Sequence, residues 1–212
     1  MKKVLVLYGG WKWHYPKEIA EFTVEHLLKG FEVEVSEDLT ILESNRLHEF
    51  DLIIPIWTQD ELSHFQETSL VEAIENGLGM ASWHGITAAF DNNHLFKMVL
   101  GGQFIAHPGN YIEYDVHFSQ EDSLTKGIPD FKMFSEQYYM HTDPNNEVIA
   151  TTVVDGDRFT WLKGGTMPVA WKRQWGKGRV FYHTLGHNHH EMEIEEVREL
   201  TRRGILWAAN AE

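Results

Sequence analysis

The sequence predicts an α/β protein built on a mostly parallel central sheet, with antiparallel hairpins added in its second half. Three observations predict it: apolar runs at residues 4–8 and 52–57, amphipathic helical stretches between such runs, and tight-turn signals beyond residue 150. With 212 residues, 42% hydrophobic and 24% charged, the chain fits a single folded domain over 1–212.

Residues 4–8 (VLVLY) read as a strand covered on both faces, and Gly9 and Gly10 end it. Pro16 suits a first helical position. Ala20, Val24, Leu27 and Leu28 then share one helical face, with Gly30 as the cap. Residues 31–35 alternate apolar and acidic in the manner of an edge strand. Residues 52–57 form the next strand, its end distorted by Pro55. Over 61–76, Leu62, Phe65, Leu70, Ala73 and Ile74 fall on one helical face, Gly77 closes the helix, and 78–83 is a further strand. In such a βαβ order ligands bind beyond the carboxyl ends of the strands, so the loops after Tyr8, Trp57 and Trp83 are expected to converge.

The pattern turns antiparallel after Gly101. Segments 147–154 and 158–162 flank Asp155-Gly156 as a tight hairpin, and 167–173 and 179–185 flank a second turn, Trp175-Gly176-Lys177-Gly178. A final amphipathic helix over about 193–209 carries Ile194, Val197, Leu200, Thr201 and Ile205 on one face.

Composition narrows the function. Eighteen Lys and Arg against 32 Asp and Glu give a net charge of −14, which argues against nucleic acid or an anionic membrane surface as partner. No stretch approaches the roughly 18 apolar residues of a membrane span, and the first apolar run is too short for a signal-peptide core, so a cytoplasmic location is expected. The absence of cysteine excludes a disulfide framework, a thiolate zinc site and a Cys nucleophile. Thirteen His and 8 Trp point instead to a polar-aromatic site for a small molecule.

Five segments carry candidate chemistry. The Gly-rich turn at 9–16 (GGWKWHYP) sets His14 over a strand end but is no dinucleotide fingerprint. Segment 79–85 (GMASWHG) places His84 at a strand-to-helix corner, where many α/β enzymes mount a nucleophile; G-x-S-x-G is absent, so Ser82 does not make a hydrolase of that kind. In 181–190, His183 lies on a strand and His187 follows Gly186 in a loop, so the two need not converge, while His189 and His190 read as solvent-facing. Segment 135–141 offers Glu136, Tyr138 and His141, a carboxylate, a phenol and an imidazole for acid–base work or sugar hydroxyl binding. His107 ends a Gly-rich segment, and by itself fits a structural role as well as a functional one.

Taken in order, GGWKWHYP, GMASWHG with TAAF after it, GGQFIAHP, SEQYYM, MPVAWKRQWGKGRVFYHTLGH and GILWAAN resemble the ThuA-like family, named for trehalose utilisation. The likeness spans nearly the whole chain and is most specific over 171–187. It implies a class I glutamine amidotransferase-like fold, that is, a flavodoxin-like three-layer sandwich, in agreement with the βαβ reading. Where the amidotransferases have a Cys at the elbow, this chain has His84, so glutamine hydrolysis through a thiolate is excluded. The resemblance implies a pocket lined by His14, Trp57, His84, His107, Glu136 and His187, with Tyr138, His141 and Trp171 nearby. At 135 and 137 the chain has Ser and Gln where the family's D-E-L-Y segment has an acid and a leucine.

These readings lead to the expectation of a carbohydrate-processing enzyme, in which His84, Glu136 and His187 carry acid–base or metal-assisted chemistry on a sugar or keto-sugar derivative. His14, Trp57, His107, Tyr138, His141 and Trp171 are expected to bind the substrate. The imidazoles and Glu136 are suited to a divalent metal such as zinc, which would bind substrate oxygens as a Lewis acid. The competing class is a non-catalytic binding or regulatory module on the same fold. A zinc amidase or peptidase lacks its HExxH. Self-association into a homo-oligomer is compatible with the sequence and not dictated by it.

Overall fold

The computed structural model describes residues 1–211. Strand β1 (Lys3–Gly10) leads through a 3-10 turn at Lys12–His14 into α1 (Pro16–Phe22), which one π turn, Thr23–Leu27, prolongs. Then follow β2 (Glu32–Ser36), β3 (Leu52–Thr58), α2 (His64–Asn76), β4 (Gly79–Trp83) and α3 (His94–Leu100). The second half contributes β5 (Gly102–Ala106), β6 (Tyr111–Phe118), β7 (Phe131–Glu136), β8 (Tyr139–Thr142), β9 (Glu147–Val153), β10 (Thr166–Trp175) and β11 (Gly178–His183). The short α4 (His189–Met192) and α5 (Glu195–Ala208) end the chain.

A nine-stranded sheet runs in the order β2-β1-β3-β4-β11-β10-β9-β6-β7, and β5 and β8 pair separately. The run from β2 to β11 is parallel, whereas β10, β9, β6 and β7 extend it antiparallel. Alternation along the parallel strands divides the core into two layers, one on each face. Val4, Val6, Leu52, Ile54, Ala81 and Phe181 meet α1 and α5 on one face. Leu5, Leu7, Ile53, Met80, Val180 and Tyr182 meet α2 and α3 on the other. This is the three-layer α/β sandwich expected from the sequence. Among the described residues no helix is long and apolar enough to cross a membrane.

Pro55 sits inside the central strand β3, and its lack of an N–H matters there. The β3–β4 ladder pairs Leu52 with Gly79 and Ile53 with Met80 and goes no further. The Ser82 hydroxyl donates across the resulting gap to the Pro55 carbonyl. Beyond this point Trp57 and Thr58 of β3 and Trp83 of β4 border a narrow crevice, and past it the two chains are tied again by the Gln59 N–H to the Ala88 carbonyl at 3.0 Å.

Two sequence expectations fail. Residues 158–162 form no strand. Val153 pairs with Thr166, so β10 is the hairpin partner of β9, and the intervening loop closes through Gly164 N–H to the Val154 carbonyl at 2.8 Å. Asp155 accepts the Asp157 N–H at 2.8 Å, an Asx turn in place of the tight hairpin. Phe65, expected in the core, is 58% exposed, because α2 packs on the sheet through Gln66, Leu70, Val71 and Ile74.

His183 on β11 is fully buried; its Nε2–H donates to Thr201 Oγ1 at 2.9 Å, and that hydroxyl donates on to the Val197 carbonyl at 2.6 Å. Burial drives its pKa down to about 3, so the folded ring is neutral. The unfolded chain takes up this proton near pH 6.5, so stability is full above that value and is lost as the pH falls toward the folded pKa. Between about pH 7 and pH 5 the expected loss from this residue is about 2 kcal/mol. Denaturant titrations at the two pH values check it, and His183→Gln should remove that share of the slope.

Candidate metal centre

Four elements deliver side chains to the crevice. His14 ends the 3-10 turn after β1, His84 follows β4, Glu136 ends β7, and His187 lies in the loop after β11. Ligand atoms of all four lie within 4.8 Å of one another. The ring centroids of His14, His84 and His187 form a near-equilateral triangle with sides of 4.8, 5.0 and 5.1 Å.

The corner at His84 makes this convergence. Its φ is 44°, in the left-handed region that a residue with a Cβ adopts at a cost of about 1–3 kcal/mol. The next residue must be glycine: a Cβ on Gly85 would run into Thr58 Oγ1 and come within 2.8 Å of His14 Nδ1. Those two atoms are themselves bonded at 2.8 Å, which fixes the His14 ring. Gly186, at φ 90°, plays the same part before His187, where a Cβ would lie 2.5 Å from Met192 Sδ.

His84 Nδ1 lies 2.8 Å from the Thr184 carbonyl, so that nitrogen carries the proton and Nε2 presents a lone pair to the crevice. Around Nε2 stand the Tyr138 hydroxyl at 2.8 Å, His187 Nδ1 at 3.2 Å and Glu136 Oε2 at 3.4 Å. Glu136 Oε2 is in turn 3.3 Å from His187 Nδ1. Electron-rich atoms at such separations, largely shielded from water, require a proton or a cation between them.

Protonation follows from the surroundings. Burial, and then the neighbouring His84 and His187, push His14 down to about 3, so it is a neutral imidazole. Burial raises the Glu136 carboxyl, but hydrogen bonding to His187 and the electrostatic influence of His84 and His187 outweigh this and hold it well below the usual carboxylate range. Burial also raises Tyr138 well above an ordinary phenol, so it keeps its proton and donates to His84.

The other residues expected at the site fall into three groups. His107 reaches it from outside, with Nε2 3.7 Å from Glu136 Oε1. Trp57 forms the floor: it is buried under Gly9 and Gly10, its indole donating to Asp60 at 2.8 Å, and it borders a narrow pocket with His14, Thr58 and His84. Trp171 and His141 are not brought to the cluster. Trp171 is wholly buried, donates to the Leu100 carbonyl at 2.9 Å, and packs on Tyr182, whose hydroxyl bonds the His84 carbonyl at 2.9 Å. It therefore braces the corner and offers no surface to a ligand. His141 alternates with buried Met140 on β8 and faces solvent.

Sequence reasoning missed Glu191, Tyr111 and Thr58. Tyr111 sets its ring edge against His187, with centroids 5.3 Å apart. Glu191 accepts the His187 main-chain N–H at 2.9 Å. An Asn three residues before Glu191, capping a short helix, was the available signal for the latter. The others carry no local pattern, since they meet the site only through folding.

The ThuA family model, described as trehalose utilisation, matches residues 3–208. Among solved structures, a ThuA-like protein from Parabacteroides merdae is 18% identical with a TM-score of 0.80, over 98% of this chain and 90% of that one. Another, from Bacteroides uniformis, is 20% identical with a TM-score of 0.80, over 98% and 91%. A β-galactosidase from Bacillus circulans contains a similar fold at 13% identity and a TM-score of 0.60, with 98% of this chain aligned to 30% of that one. None of the curated proteins matches the chain in sequence.

The bracing role of Trp171 has a measurable consequence. Trp171→Ala is expected to cost about 3–5 kcal/mol in denaturant unfolding. A tryptophan that only met a ligand at the surface would lose less than about 1 kcal/mol.

Proposed function

The chain belongs to the ThuA family, and from that premise we propose that it is an enzyme acting on a sugar or keto-sugar derivative through a divalent metal held by His14, His84, Glu136 and His187. The observation that carries this reading is the spacing of the donors, three of them 3.2 to 3.4 Å apart. A tetrahedral ion with ligand arms of about 2.0–2.1 Å separates its donors by about 3.3 Å. Three imidazoles and one carboxylate suit zinc or a neighbouring first-row ion better than magnesium or calcium. Thr58 and the Thr184 carbonyl orient two of the rings, as supporting groups do around metal-bound histidines. Bound there, the ion would polarise a carbonyl or hydroxyl oxygen of the substrate.

Surfaces around the cluster support a polyhydroxylated substrate. A cleft beginning at Gln137, next to Glu136, is lined by Gly109, Asp155, Arg158 and Phe159. It combines an aromatic face with charged hydrogen-bonding groups, the usual complement of a sugar ring. His107, 34% exposed in its side chain and 3.7 Å from Glu136, lines an adjoining cleft that shares Gly109, Arg158 and Phe159 with this one. On the His14 side, Trp11 and Trp13 are 40% and 56% exposed and offer further flat surfaces.

One bond favours a second reading. The Tyr138 hydroxyl donates to His84 Nε2, the atom a metal would take. In a metal-free enzyme His84 Nε2 would accept the substrate proton as the Tyr138 hydroxyl turns from donor to acceptor, and Glu136 would stabilise the imidazolium so formed. Metal content separates the two. Protein purified without a metal-affinity tag is expected to hold about one zinc or similar ion per chain. His187→Ala should weaken binding at least about tenfold with little change in the thermal midpoint of the metal-free protein, whereas His84→Ala should weaken it as much and also lower that midpoint, because it removes a buried ring and its bond to the Thr184 carbonyl. Content near zero that does not rise with added metal would remove the metal reading and leave the acid–base one.

A further inference from the structure

Glu191, on α4, is 7% exposed and has no cationic side chain in an ion pair with it among the described residues. A carboxylate buried among neutral donors costs more than a neutral side chain of the same shape, so its place calls for an explanation. Its partners supply one. Oε2 accepts the main-chain N–H of His187 at 2.9 Å, a proton that this residue donates nowhere else. Both oxygens accept from Ser135 Oγ, at 2.9 and 3.0 Å. Asn188 Nδ2 and the Tyr111 hydroxyl complete the set at 3.3 and 3.5 Å.

Two of these partners are next to the centre. Ser135 directly precedes Glu136 on β7, and His187 is itself one corner of the imidazole triangle. One carboxylate thus ties together two segments that are distant in sequence, each bearing a donor. The loop that bears His187 follows Gly186, whose backbone is in the left-handed region, and it has few other ties. Asn188 Oδ1 accepts the Glu191 N–H at 3.1 Å and so holds Glu191 itself in place.

We propose that Glu191 is a positioning residue that sets the separation of His187 from Glu136 by clamping the His187 loop to β7 through Ser135. It touches neither substrate nor ion and acts through the two groups it aligns. The proposal rests on the metal-centre reading for its functional consequence, while the clamp itself is a property of the protein alone.

Zinc affinity, measured by competition with a chromophoric chelator, tests the consequence in the full chain. Glu191→Ala should weaken zinc binding by about 10- to 100-fold, and Ser135→Ala should do so in the same direction by less. Glu191→Gln should restore most of the affinity, because its amide oxygen still accepts the His187 N–H, Ser135 and Tyr111 can reverse their hydroxyls, and only the long Asn188 Nδ2 contact at 3.3 Å is lost. A merely structural role would lower the thermal midpoint of the metal-free protein without this rescue pattern in affinity. Wild-type affinity in both Glu191→Ala and Ser135→Ala would overturn the proposal. If the wild type binds no zinc, the metal reading falls and the clamp is judged on the metal-free protein. There, faster amide exchange at His187 and shifted imidazole nitrogen-15 resonances in Glu191→Ala, or in Ser135→Ala should the first not fold, uphold it. Unchanged signals overturn it.

Discussion

The backbone turn at His84 is the constraint from which the rest of the crevice is measured. It holds a side chain with a Cβ at φ 44°, and several separate bonds keep it there. The Tyr182 hydroxyl bonds the His84 carbonyl at 2.9 Å, Thr87 Oγ1 does so at 3.1 Å, and the Thr184 carbonyl takes the ring Nδ1 proton at 2.8 Å. Lys97 secures the exit of the turn by donating to the Thr87 and Ala89 carbonyls at 2.7 and 2.6 Å. Strained backbone persists only where its surroundings over-determine it, and here the surroundings are two strands of the parallel sheet and a partly buried lysine. The outcome is a lone pair aimed at one point in space.

The two parts of the sheet supply different chemistry to that point. Loops at the carboxyl ends of parallel strands β1, β4 and β11 deliver the imidazoles, as the ends of such strands deliver ligand-binding groups generally. The antiparallel extension brings the carboxylate of Glu136 and the phenol of Tyr138. Three imidazole rings around one carboxylate gather electron-rich atoms at a single point.

How much of this was legible depended on how local each signal was. Strands β1 and β4 and the helices between them announce themselves by periodicity, because each buries a continuous face. His84 was legible for the same reason, since a strand followed by a sharp corner is visible in the string GMASWHG. The chain at Asp155-Gly156 misled because turn residues report a change of direction and not which strand comes next; the ladder waits until Thr166. Trp171 and Tyr182 belong to a motif-like block, yet their contribution is inward, bracing the corner by ring contact and a hydroxyl. Glu191 could not be singled out from its acidic neighbours, because what distinguishes it is burial against Ser135, a partner 56 residues away.

The long span between the corners of the imidazole triangle bears on how the site comes together. His14 follows the first strand and His187 the last, so no local stretch of chain can pre-form the arrangement. Until β11 has joined β4 in the sheet, His14 and His84 lack their third ring. Closure of the triangle is therefore a late, non-local event, and its appearance would report that the parallel half of the sheet is complete.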